Sequence, residues 1–581
     1  MKRILIFLSS ITVLLTAVLG GCSTDISESS SPESAFTSSE AAISAEESAE
    51  SPKPEETGDP EESSKPDESS KPEETSGSET TEEPDEFPKD EESSLPPEKE
   101  DNSPSISLEK TEFSAGERIA VAYKNTDSKD WVGFYREGSD PGTVTSIVWQ
   151  YSVGKGTLNF NVSSLPGPGV YWVFLCDNDG YEVLDMKTVT VLDNDKNDYG
   201  AASASIDASV KDGYSKISVT VTPSSAASLT YKFYWAKGKS RLGGYEPIYT
   251  VTHSGKSRFT VDFNDCLYMP NDADGIEISV AKGISTPLYI SAPSELKAKK
   301  SKLLYKFSVL TDLHVTASKP QHVSHLKMAF KDIIAQGGVS AIFTVGDNTD
   351  NGSAAEYDLL LKTVSSAGDD LPDIYFTPGN HDLVYGNGYD AQLKLFKEKT
   401  GEPGAHYSVE LKGARFIVLG SDSAVTAGTI GRAQLDWLKA ELDKCDKSTP
   451  TFLFLHQPLI DTVSGSLYSK DKVIQDWFGV SDAEPEIRAM LKEYPNAFLF
   501  TGHTHWTLES VQPMLAGYGK DANFINCASV GYLWNDNDKA TGGSEGLYVE
   551  VYEDYILLRG REFLKGNWCA AAQFLIPIKG E

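Results

Sequence analysis

Cysteine is scarce in this chain and shows none of the spacings that define thiolate sites. The 581 residues include six cysteines, and none of them forms a CxxC pair. Scattered cysteines define no disulfide framework, and without a CxxC spacing a zinc site built from thiolates is not expected. A metal site in this chain would therefore use histidine and oxygen ligands. The cysteines are Cys22, Cys176, Cys266, Cys445, Cys527 and Cys569.

Basic residues are also few, and they form no stripe along the chain. The 52 Lys and Arg residues stand against 86 Asp and Glu residues, which gives a net charge of −34. Nucleic-acid binding requires a basic patch or stripe, so no nucleic-acid partner is expected. The small cluster at Lys297, Lys299, Lys300 and Lys302 is interpreted as a linker between domains.

Aromatic and aliphatic residues almost disappear between residues 23 and 101. This segment consists mainly of Ser, Glu, Pro, Thr and Lys, and its 27 acidic and 5 basic residues contribute −22 of the net charge of −34. Because so little apolar surface cannot offset chain entropy, the composition predicts a disordered, extended tether. The acidity of the chain is mostly a property of this tether and says little about a substrate.

The chain begins with an apolar run that is too short to cross a bilayer. Lys2 and Arg3 precede the apolar stretch from Ile4 to Leu19, which is the pattern of a secretion signal. The following Gly20-Gly21-Cys22 resembles the lipobox of bacterial lipoproteins, which implies cleavage before Cys22 and a lipid on that cysteine. Residues 1–22 therefore predict an extracytoplasmic, membrane-anchored lipoprotein. An ordinary signal peptide or a membrane anchor is the alternative.

Two regions after the tether alternate with the two-residue period of half-buried strands. Residues 102–194 contain runs such as Ile119, Val121 and Tyr123 between turn signals, and residues 195–296 repeat the style. Short strands without a helical stretch predict a β-sandwich in each region. A spacer is the expected role, with carbohydrate or cell-wall binding as the alternative for the second region.

One segment of the first region suggests its fold family. Asp130-Trp131-Val132-Gly133-Phe134-Tyr135 resembles a motif of immunoglobulin-like domains that precede phosphoesterase domains. Its aromatic side chains are assigned to the core of the sandwich, in preference to a ligand platform.

From residue 302 to residue 581 strand-like runs alternate with helical ones. Helical spacing is seen from His322 to Gln336, from Arg432 to Leu442 and from Pro485 to Tyr494. Apolar strands between amphipathic helices predict a layered α/β domain. The predicted architecture is thus an α/β catalytic domain that follows two all-β immunoglobulin-like sandwiches and a disordered tether.

Five short apolar runs in this α/β region are each followed by residues that can bind a metal. Because the carboxyl ends of strands in an α/β sheet form its ligand-binding rim, the five loops can converge on one site. Imidazole with carboxylate or amide oxygens, and without thiolate, suits Zn, Mn or Fe. The five groups are Asp312-Leu313-His314, Gly346-Asp347-Asn348-Thr349-Asp350, Gly379-Asn380-His381-Asp382, His456-Gln457-Pro458 and Gly502-His503-Thr504-His505.

This ordered set resembles the calcineurin-like metallophosphoesterase superfamily, whose pattern is DxH, GDxxD, GNH followed by Asp or Glu, a lone His, and GHxH. All five blocks occur in order between residues 312 and 505. The resemblance implies a layered β-sandwich flanked by helices and a site for two divalent ions, Mn, Fe or Zn. In the implied allocation Asp312, His314 and His505 hold one ion, Asn380, His456 and His503 hold the other, and Asp347 bridges the two.

The resemblance also implies the chemistry. Two cations about 3.5–4 Å apart clamp the attacking and leaving oxygens of an in-line displacement and activate a hydroxide near neutral pH. His381 directly follows Asn380, so it is expected to protonate the leaving oxygen while the carboxylate of Asp350 orients its ring. The predicted activity is phosphoester hydrolysis, with phosphodiesters ahead of phosphomonoesters.

Departures from subfamily patterns narrow the substrate class. Asn351 stands where the Ser/Thr phosphatases of the superfamily carry Arg, which disfavours a phosphoprotein substrate. His314 and Asp350 stand where purple acid phosphatases carry Gly and a metal-binding Tyr, so a charge-transfer iron site is not expected. The motifs GDNTDNG, TPGNHD and TGHTH are similar in style to bacterial cyclic-nucleotide-type phosphodiesterases.

Two other functions remain open. The first is a cell-wall binding or adhesion lipoprotein that carries a non-catalytic phosphoesterase scaffold. A degenerate scaffold is expected to lose ligands, and all seven expected ligand positions are filled here. The second is a nuclease, which the lack of a basic patch beside the motifs disfavours.

Overall fold

The structure is a computed structural model that describes residues 103–193, 198–280, 284–468 and 479–580. These residues belong to one unit that extends from Pro97 to Glu581. The predicted signal peptide, the tether and Cys22 lie outside the described residues. In the four described ranges, no helix combines the length and the apolar character that a membrane span requires.

The first module is built from two sheets that share one apolar core. Its described strands are β1 (Ser105–Leu108), β2 (Glu112–Phe113), β3 (Arg118–Thr126), β4 (Trp131–Arg136), β5 (Val148–Tyr151), β6 (Gly154–Asn161), β7 (Gly169–Cys176) and β8 (Val183–Val191). The strand orders are β1-β3-β6 and β2-β8-β7-β4-β5. Alternate residues of β3 and β4, including Val121 and Phe134, are fully buried in the same cluster because side chains alternate across a strand.

The second module is also built mainly from two β-sheets. Its described strands are β9 (Asp198–Lys211), β10 (Tyr214–Pro223), β11 (Leu229–Lys237), β12 (Ser240–Arg241), β13 (Tyr249–His253), β14 (Phe259–Asp262), β15 (Gly275–Val280), β16 (Ile284–Thr286) and β17 (Leu288–Ser291). One sheet has the order β14-β10-β9-β16, and the other has the order β12-β11-β15-β17 with β13 paired to β11. The immunoglobulin-like assignment of both modules stays a prediction.

The third module combines two six-stranded sheets with α-helices, which confirms the predicted α/β class. Its described strands are β18 (Leu303–Leu310), β19 (Val339–Thr344), β20 (Ile374–Tyr375), β21 (Tyr407–Leu411), β22 (Ala414–Leu419), β23 (Thr451–Leu455), β24 (Ala497–Thr501), β25 (Met514–Leu515), β26 (Asn523–Asn526), β27 (Leu533–Asn535), β28 (Lys539–Thr541), β29 (Glu545–Tyr552), β30 (Tyr555–Glu562) and β31 (Asn567–Pro577). Its described helices are α1 (Pro320–Gln336), α2 (Ala354–Ser366), α3 (Asn380–Leu383), α4 (Tyr389–Thr400), α5 (Arg432–Leu442) and α6 (Glu484–Leu491).

The two large sheets of this module pack face to face through phenylalanine rings. Their strand orders are β20-β19-β18-β29-β30-β31 and β21-β22-β23-β24-β26-β25. Phe343 of the first sheet stacks on Phe416 and Phe454 of the second, with ring centroids 4.7 and 4.6 Å apart. All three rings are buried, so the rings form the apolar layer that holds the sheets together.

The parallel strands of both sheets point toward the same edge of the module. Strands β18, β19 and β20 are mutually parallel, and so are β22, β23, β24 and β26. The loops that follow the carboxyl ends of β18, β19, β20, β23 and β24 carry the five predicted motif groups. The fold therefore brings these groups to one edge, as the strand pattern predicts.

Direct contacts attach both strand-rich modules to the α/β module. The backbone N–H of Val183 in the first module donates to the hydroxyl of Ser324 on α1 at 3.1 Å. In the second module the N–H of Tyr268 donates to the carbonyl of Gln573 at 3.1 Å, and Cys266 accepts a hydrogen bond from the N–H of Leu575 at 2.9 Å. The second module thus contacts strand β31 through its backbone.

Candidate metal centre

The candidate site lies where sharp turns end the parallel strands. Five of the seven predicted ligands have positive φ angles, between 44° and 69°, in the left-handed region that residues other than glycine rarely adopt. Each such conformation costs on the order of 1–3 kcal/mol and clusters typically at functional sites. Because of these turns, side chains two positions apart in the sequence, such as those of Asp312 and His314, point into the same group of ligands. The five are Asp312, His314, Asp347, His503 and His505.

Two motif glycines are required by close approach of neighbouring loops. A Cβ at Gly379 would lie 2.2 Å from the backbone nitrogen and from Oδ1 of Asp347. A Cβ at Gly502 would lie 2.0 Å from Oγ1 of Thr311 and 2.5 Å from Oδ2 of Asp312. Any side chain at these positions would push the ligand-bearing loops apart, which gives the GN and GH motifs a physical reason.

One group of ligand atoms surrounds Asp312. His505 Nε2 lies 3.0 Å from Asp312 Oδ1 and 3.3 Å from His314 Nε2. His314 Nε2 in turn lies 3.6 Å from Asp347 Oδ2. One ligand atom from each of these four residues lies within 4.8 Å of the others, and all four residues are buried.

A second group shares Asp347 with the first. His456 Nε2 lies 3.2 Å from Asp347 Oδ2 and 3.1 Å from Asn380 Oδ1. His503 joins Asp347 and His456 within the same 4.8 Å limit. The structure thus places all seven predicted ligands in two adjacent groups that meet at one carboxylate. The allocation of residues to individual ions stays a prediction.

The donor set of these groups fits divalent cations. Nδ1 of His456 contacts the carbonyl of Val345 at 2.7 Å, and Nδ1 of His505 contacts the carbonyl of Tyr532 at 3.1 Å. Nδ1 of each ring is therefore the donor to a backbone carbonyl, and Nε2 faces carboxylate oxygens or another imidazole. A cation between these groups would stabilise the arrangement.

The electrostatics of His456 and Asp347 point to the same requirement for positive charge. Burial by itself lowers the pKa of the His456 imidazole, but Asp347 and Asp312 outweigh burial and raise the pKa to about 9. Burial likewise raises the pKa of the Asp347 carboxyl, while His456 and the neighbouring imidazoles hold that pKa well below its usual range. The site therefore attracts positive charge although it is buried.

His381 and Asp350 lie beside these groups, but the contact between them differs from the expectation. Nδ1 of His381 bonds the backbone carbonyl of Asp350 at 2.6 Å. The carboxylate of Asp350 instead lies 3.2 Å from Nδ1 of His314 and 3.0 Å from Nζ of Lys319. The expected carboxylate–imidazole pair is therefore wrong: the chain turn after Asp347 presents the carbonyl to His381 and the carboxylate to His314.

The carboxylate of Asp350 is held in its charged form by these contacts. Burial raises the pKa of this carboxyl, but the nearby His314 imidazole and the hydrogen bond from Lys319 outweigh burial and leave the pKa well below its usual range. Nδ1 of His314 faces this charged carboxylate at 3.2 Å, and Nε2 of His314 faces Asp312 and Asp347. Asp350 thus contacts a predicted metal ligand.

The buried carboxylate of Asp382, a motif position without a predicted role, ties the loops together. Asp382 is fully buried and accepts six hydrogen bonds from three segments. Its presence three residues after the motif glycine was visible in the sequence, but the number of its partners depends on loop geometry. The donors are the N–H of Gly379, the N–H and Nδ2 of Asn348, the N–H and Oγ1 of Thr349 and the hydroxyl of Tyr357, at 2.9–3.2 Å.

Two tyrosines at the mouth of the site were also missed. The Tyr532 ring centroid lies 4.2 Å from that of His505, and the Tyr385 ring centroid lies 5.1 Å from that of His381. Tyr385 is 43% exposed, and the His381 side chain is 25% exposed, whereas the ligand groups are buried. The site is therefore open to solvent on the side of His381. No motif spacing marks Tyr532, which reaches the site from a separate loop.

Residues 305–507 match the calcineurin-like phosphoesterase family. The match contains all seven predicted metal ligands together with His381 and Asp350. This part of the chain is a calcineurin-like phosphoesterase domain. The family resemblance of the motifs is therefore confirmed. In the structure, strands β29 to β31 after residue 507 complete one of the two sheets of this domain.

Curated and solved proteins give further similarities. A probable glycerophosphodiester phosphodiesterase, GpdQ, from Arcobacter nitrofigilis is 34% identical over 121 residues, which cover 20% of this chain and 41% of that protein. The chain thus spans about two fifths of the length of this relative. The purple acid phosphatase from yellow lupin (Lupinus luteus) seeds aligns over 82% of this chain and 96% of its own, with 13% identity and a TM-score of 0.36. Trypsin-activated alpha-2-macroglobulin from Escherichia coli aligns over 33% of this chain and 15% of its own, with 12% identity and a TM-score of 0.14.

Replacing Asp382 by Asn tests its role as the support of the ligand loops. The amide retains the shape of the side chain but directs an NH₂ group at backbone and hydroxyl donors, so the Asp347 and Asn380 loops should shift. Because supporting groups typically change metal affinity by about 10- to 100-fold, Asp382→Asn should bind metal about that much more weakly. Metal content after dialysis against buffered metal measures the effect.

The exposed Asp370 provides a matched control, since Asp370→Asn removes the same charge from the same domain. This control should retain normal metal content. A lower thermal midpoint in Asp382→Asn with unchanged metal affinity would contradict the supporting role.

Proposed function

We propose that this protein is a metal-dependent hydrolase of phosphate esters, with phosphodiesters ahead of phosphomonoesters. The observation that carries the proposal is the pair of buried ligand groups that meet at Asp347, with the imidazole of His381 at their open side. Two divalent ions bound there would stabilise charge on phosphate oxygens and supply an activated water nucleophile near neutral pH.

His381 is the residue that handles the proton of the leaving group in this proposal. Its Nδ1 proton is fixed on the carbonyl of Asp350 at 2.6 Å, so Nε2 is the nitrogen that exchanges a proton with the substrate. Nε2 lies 4.0 Å from Oδ2 of Asp347, beside the shared carboxylate. The backbone N–H of His381 also donates to Oδ1 of Asp347 at 2.8 Å, which fixes the ring relative to the ligand groups. A protonated Nε2 can therefore transfer its proton to the leaving oxygen.

The preference for diesters draws on the curated relative. The name of that protein, a glycerophosphodiester phosphodiesterase, describes a diester substrate. The aligned 121 residues amount to 20% of this chain, so the relative supports the class of substrate and no single compound. The half-exposed ring of Tyr385 beside His381 offers an apolar surface to the leaving alcohol.

The alternative is a cell-wall binding or adhesion lipoprotein whose phosphoesterase domain is a non-catalytic scaffold. Such a scaffold has no need to retain positive φ angles at five ligand positions, each of which costs stability. Selection for stability alone would replace these residues, so the retained geometry favours catalysis.

Substitution of His381 by Gln distinguishes proton transfer from metal binding. A diester with an alkyl leaving group requires protonation, and its kcat should fall by about 10²- to 10⁴-fold. Bis(p-nitrophenyl) phosphate releases a weakly basic phenolate, so its turnover should fall much less. The partly exposed His253 of the second module serves as the control, and His253→Gln should leave both rates unchanged. Equal losses for both ester classes would contradict the acid role.

Removal of metal tests the hydrolase proposal as a whole. After chelation the protein should lose turnover of bis(p-nitrophenyl) phosphate and of p-nitrophenyl phosphate, and added Mn, Fe(II) or Zn should restore it. The diester should be hydrolysed faster than the monoester. Asp347→Ala should respond to none of the metals, because both ligand groups share this carboxylate. Turnover that survives complete metal removal, or no turnover with any metal, would refute the proposal.

We also propose that the protein acts outside the cytoplasm, tethered to the membrane by lipid on Cys22 and an acidic segment from residue 23 to residue 101. The support is the apolar leader that ends in Gly20-Gly21-Cys22 and the composition that follows it. The location would place the catalytic domain among phosphate esters of the cell surface.

Cys22→Ser tests the tether. The substitution should abolish metabolic lipid labelling and move the protein from the membrane fraction to the soluble fraction. Cys445→Ser replaces a cysteine of the α/β module and should change neither property. Retention of Cys22→Ser in the membrane fraction would favour an uncleaved membrane anchor.

A further inference from the structure

One face of the first module carries an unusual set of aromatic side chains. In the antiparallel pair β4 and β5, Trp131 lies opposite Tyr151 and Gly133 lies opposite Trp149. Cross-strand partners share a face of the sheet, so both tryptophans and Tyr151 lie on the same side. Val132, on the opposite face of β4, belongs to the buried core of the module. The Trp131 face is itself part of a second buried cluster that includes Tyr135, and beside this cluster Trp149 and Tyr151 are about half exposed.

The rings on this face surround a cavity of about 280 Å³. Trp149, Tyr151 and Tyr181 line it and are 49%, 47% and 48% exposed, whereas Trp131 at 7% forms its buried side. Exposure of several large aromatic side chains to water is unfavourable, and such an exposed group typically marks a binding site. The volume is just below the range of about 300–1,000 Å³ that holds drug-sized ligands, so the cavity suits a small head group.

The rings pack against one another edge to face, so neighbouring ring planes are nearly perpendicular. The angle between the planes is 74° for Trp131 and Trp149, 84° for Trp131 and Tyr181, and 86° for Trp149 and Tyr151. The corresponding centroid distances are 6.1, 6.1 and 5.1 Å. A flat sugar-binding platform needs coplanar exposed rings, whereas the rings that line this cavity differ in orientation by 74–86°.

The cage is held in place before any ligand binds. Nε1 of Trp131 donates to the carbonyl of Gly180 at 3.0 Å, and the hydroxyl of Tyr151 donates to Oδ1 of Asp179 at 2.6 Å. A Cβ at Gly133 would lie 2.5 Å from Cζ3 of Trp131, so this glycine makes room for the tryptophan ring. Rigid aromatic walls reduce the entropy that binding would cost.

Carboxylates outnumber amines around the cage. Asp179 lines the cavity, and Nζ of Lys129 lies 2.9 Å from Oδ2 of Asp179. Four further carboxylates crowd the same loops, and burial together with these neighbours raises the pKa of Asp177. Lys327 is the second amine in the group, and it pairs with Glu182. The local field is therefore negative and attracts a cation. The four carboxylates are Asp127, Asp130, Asp177 and Glu182.

We propose that the cage formed by Trp131, Trp149, Tyr151 and Tyr181 binds a quaternary ammonium group of the choline class. Ring faces carry negative charge of the π-system and attract such cations within about 6 Å, and a methylated ammonium loses little hydration on entry. A few such contacts give affinities on the order of 1 mM. The cage would thus let the first module recognise choline-bearing molecules independently of the metal centre.

Calorimetric titration of the full chain with choline chloride tests the proposal. The neutral isostere 3,3-dimethyl-1-butanol has the same shape with carbon in place of the charged nitrogen. Choline should bind with a Kd on the order of 1 mM, and the isostere should bind at least about tenfold more weakly because the charge supplies the cation–π attraction. This comparison uses the unaltered protein, so it does not depend on the folding of a variant.

Trp149→Ala should weaken choline binding by at least about tenfold, since it removes one wall of the cage. Tyr249→Ala replaces an aromatic residue of the second module that is 39% exposed and should leave choline binding unchanged. Thermal unfolding of both variants verifies folding. Equal binding of choline and its isostere would overturn the proposal in favour of an apolar patch. Binding of a gluco-oligosaccharide at Trp149 without binding of choline would overturn it in favour of a glycan platform.

Discussion

The catalytic domain depends on one electrostatic constraint, the crowding of buried carboxylate oxygens and imidazole nitrogens around Asp312 and Asp347. Imidazole nitrogens lie 3.0–3.6 Å from these carboxylate oxygens, and the groups are buried. Removing ionised groups from water costs several kcal/mol per ion unless partners compensate. The domain keeps these groups together through left-handed turns and through the six hydrogen bonds of Asp382. A cation bound between these groups would offset the free energy that their burial costs.

The sequence predicts the position of this site well because strands impose order on the motifs. Parallel strands of one sheet end at one edge, so apolar runs followed by Asp, Asn or His indicate which residues can meet. Helix α5 coincides with the predicted span from Arg432 to Leu442, and α1 begins two residues before His322. These elements show clear helical periodicity, and their ends are marked by Gly431 and Gly337.

Other features depend on geometry that the sequence does not encode locally. The contact of Asp350 with His381 uses a backbone carbonyl, and no residue type reports which way a carbonyl points. That direction follows from the next turn, where Asn351 and Ser353 bond the carboxylate of Glu356 at the start of α2.

Strand β31 was not predicted, for a different reason. Most of its residues are buried, including successive ones from Cys569 to Phe574, so it lacks the alternation of a half-buried strand.

The position of β31 also changes the role expected for the second module. This strand lies at the edge of its sheet, where unpaired backbone groups would invite pairing with other chains. The second module covers this strand through backbone hydrogen bonds. The N–H of Tyr268 donates to the carbonyl of Gln573, and the N–H of Trp568 donates to the carbonyl of Gly244 at 2.8 Å. Apolar residues of the module and of both catalytic sheets form one continuous cluster. A spacer requires no such contacts, so the second module is part of the structure that keeps the catalytic sheets closed, and a catalytic domain without it would expose an apolar edge.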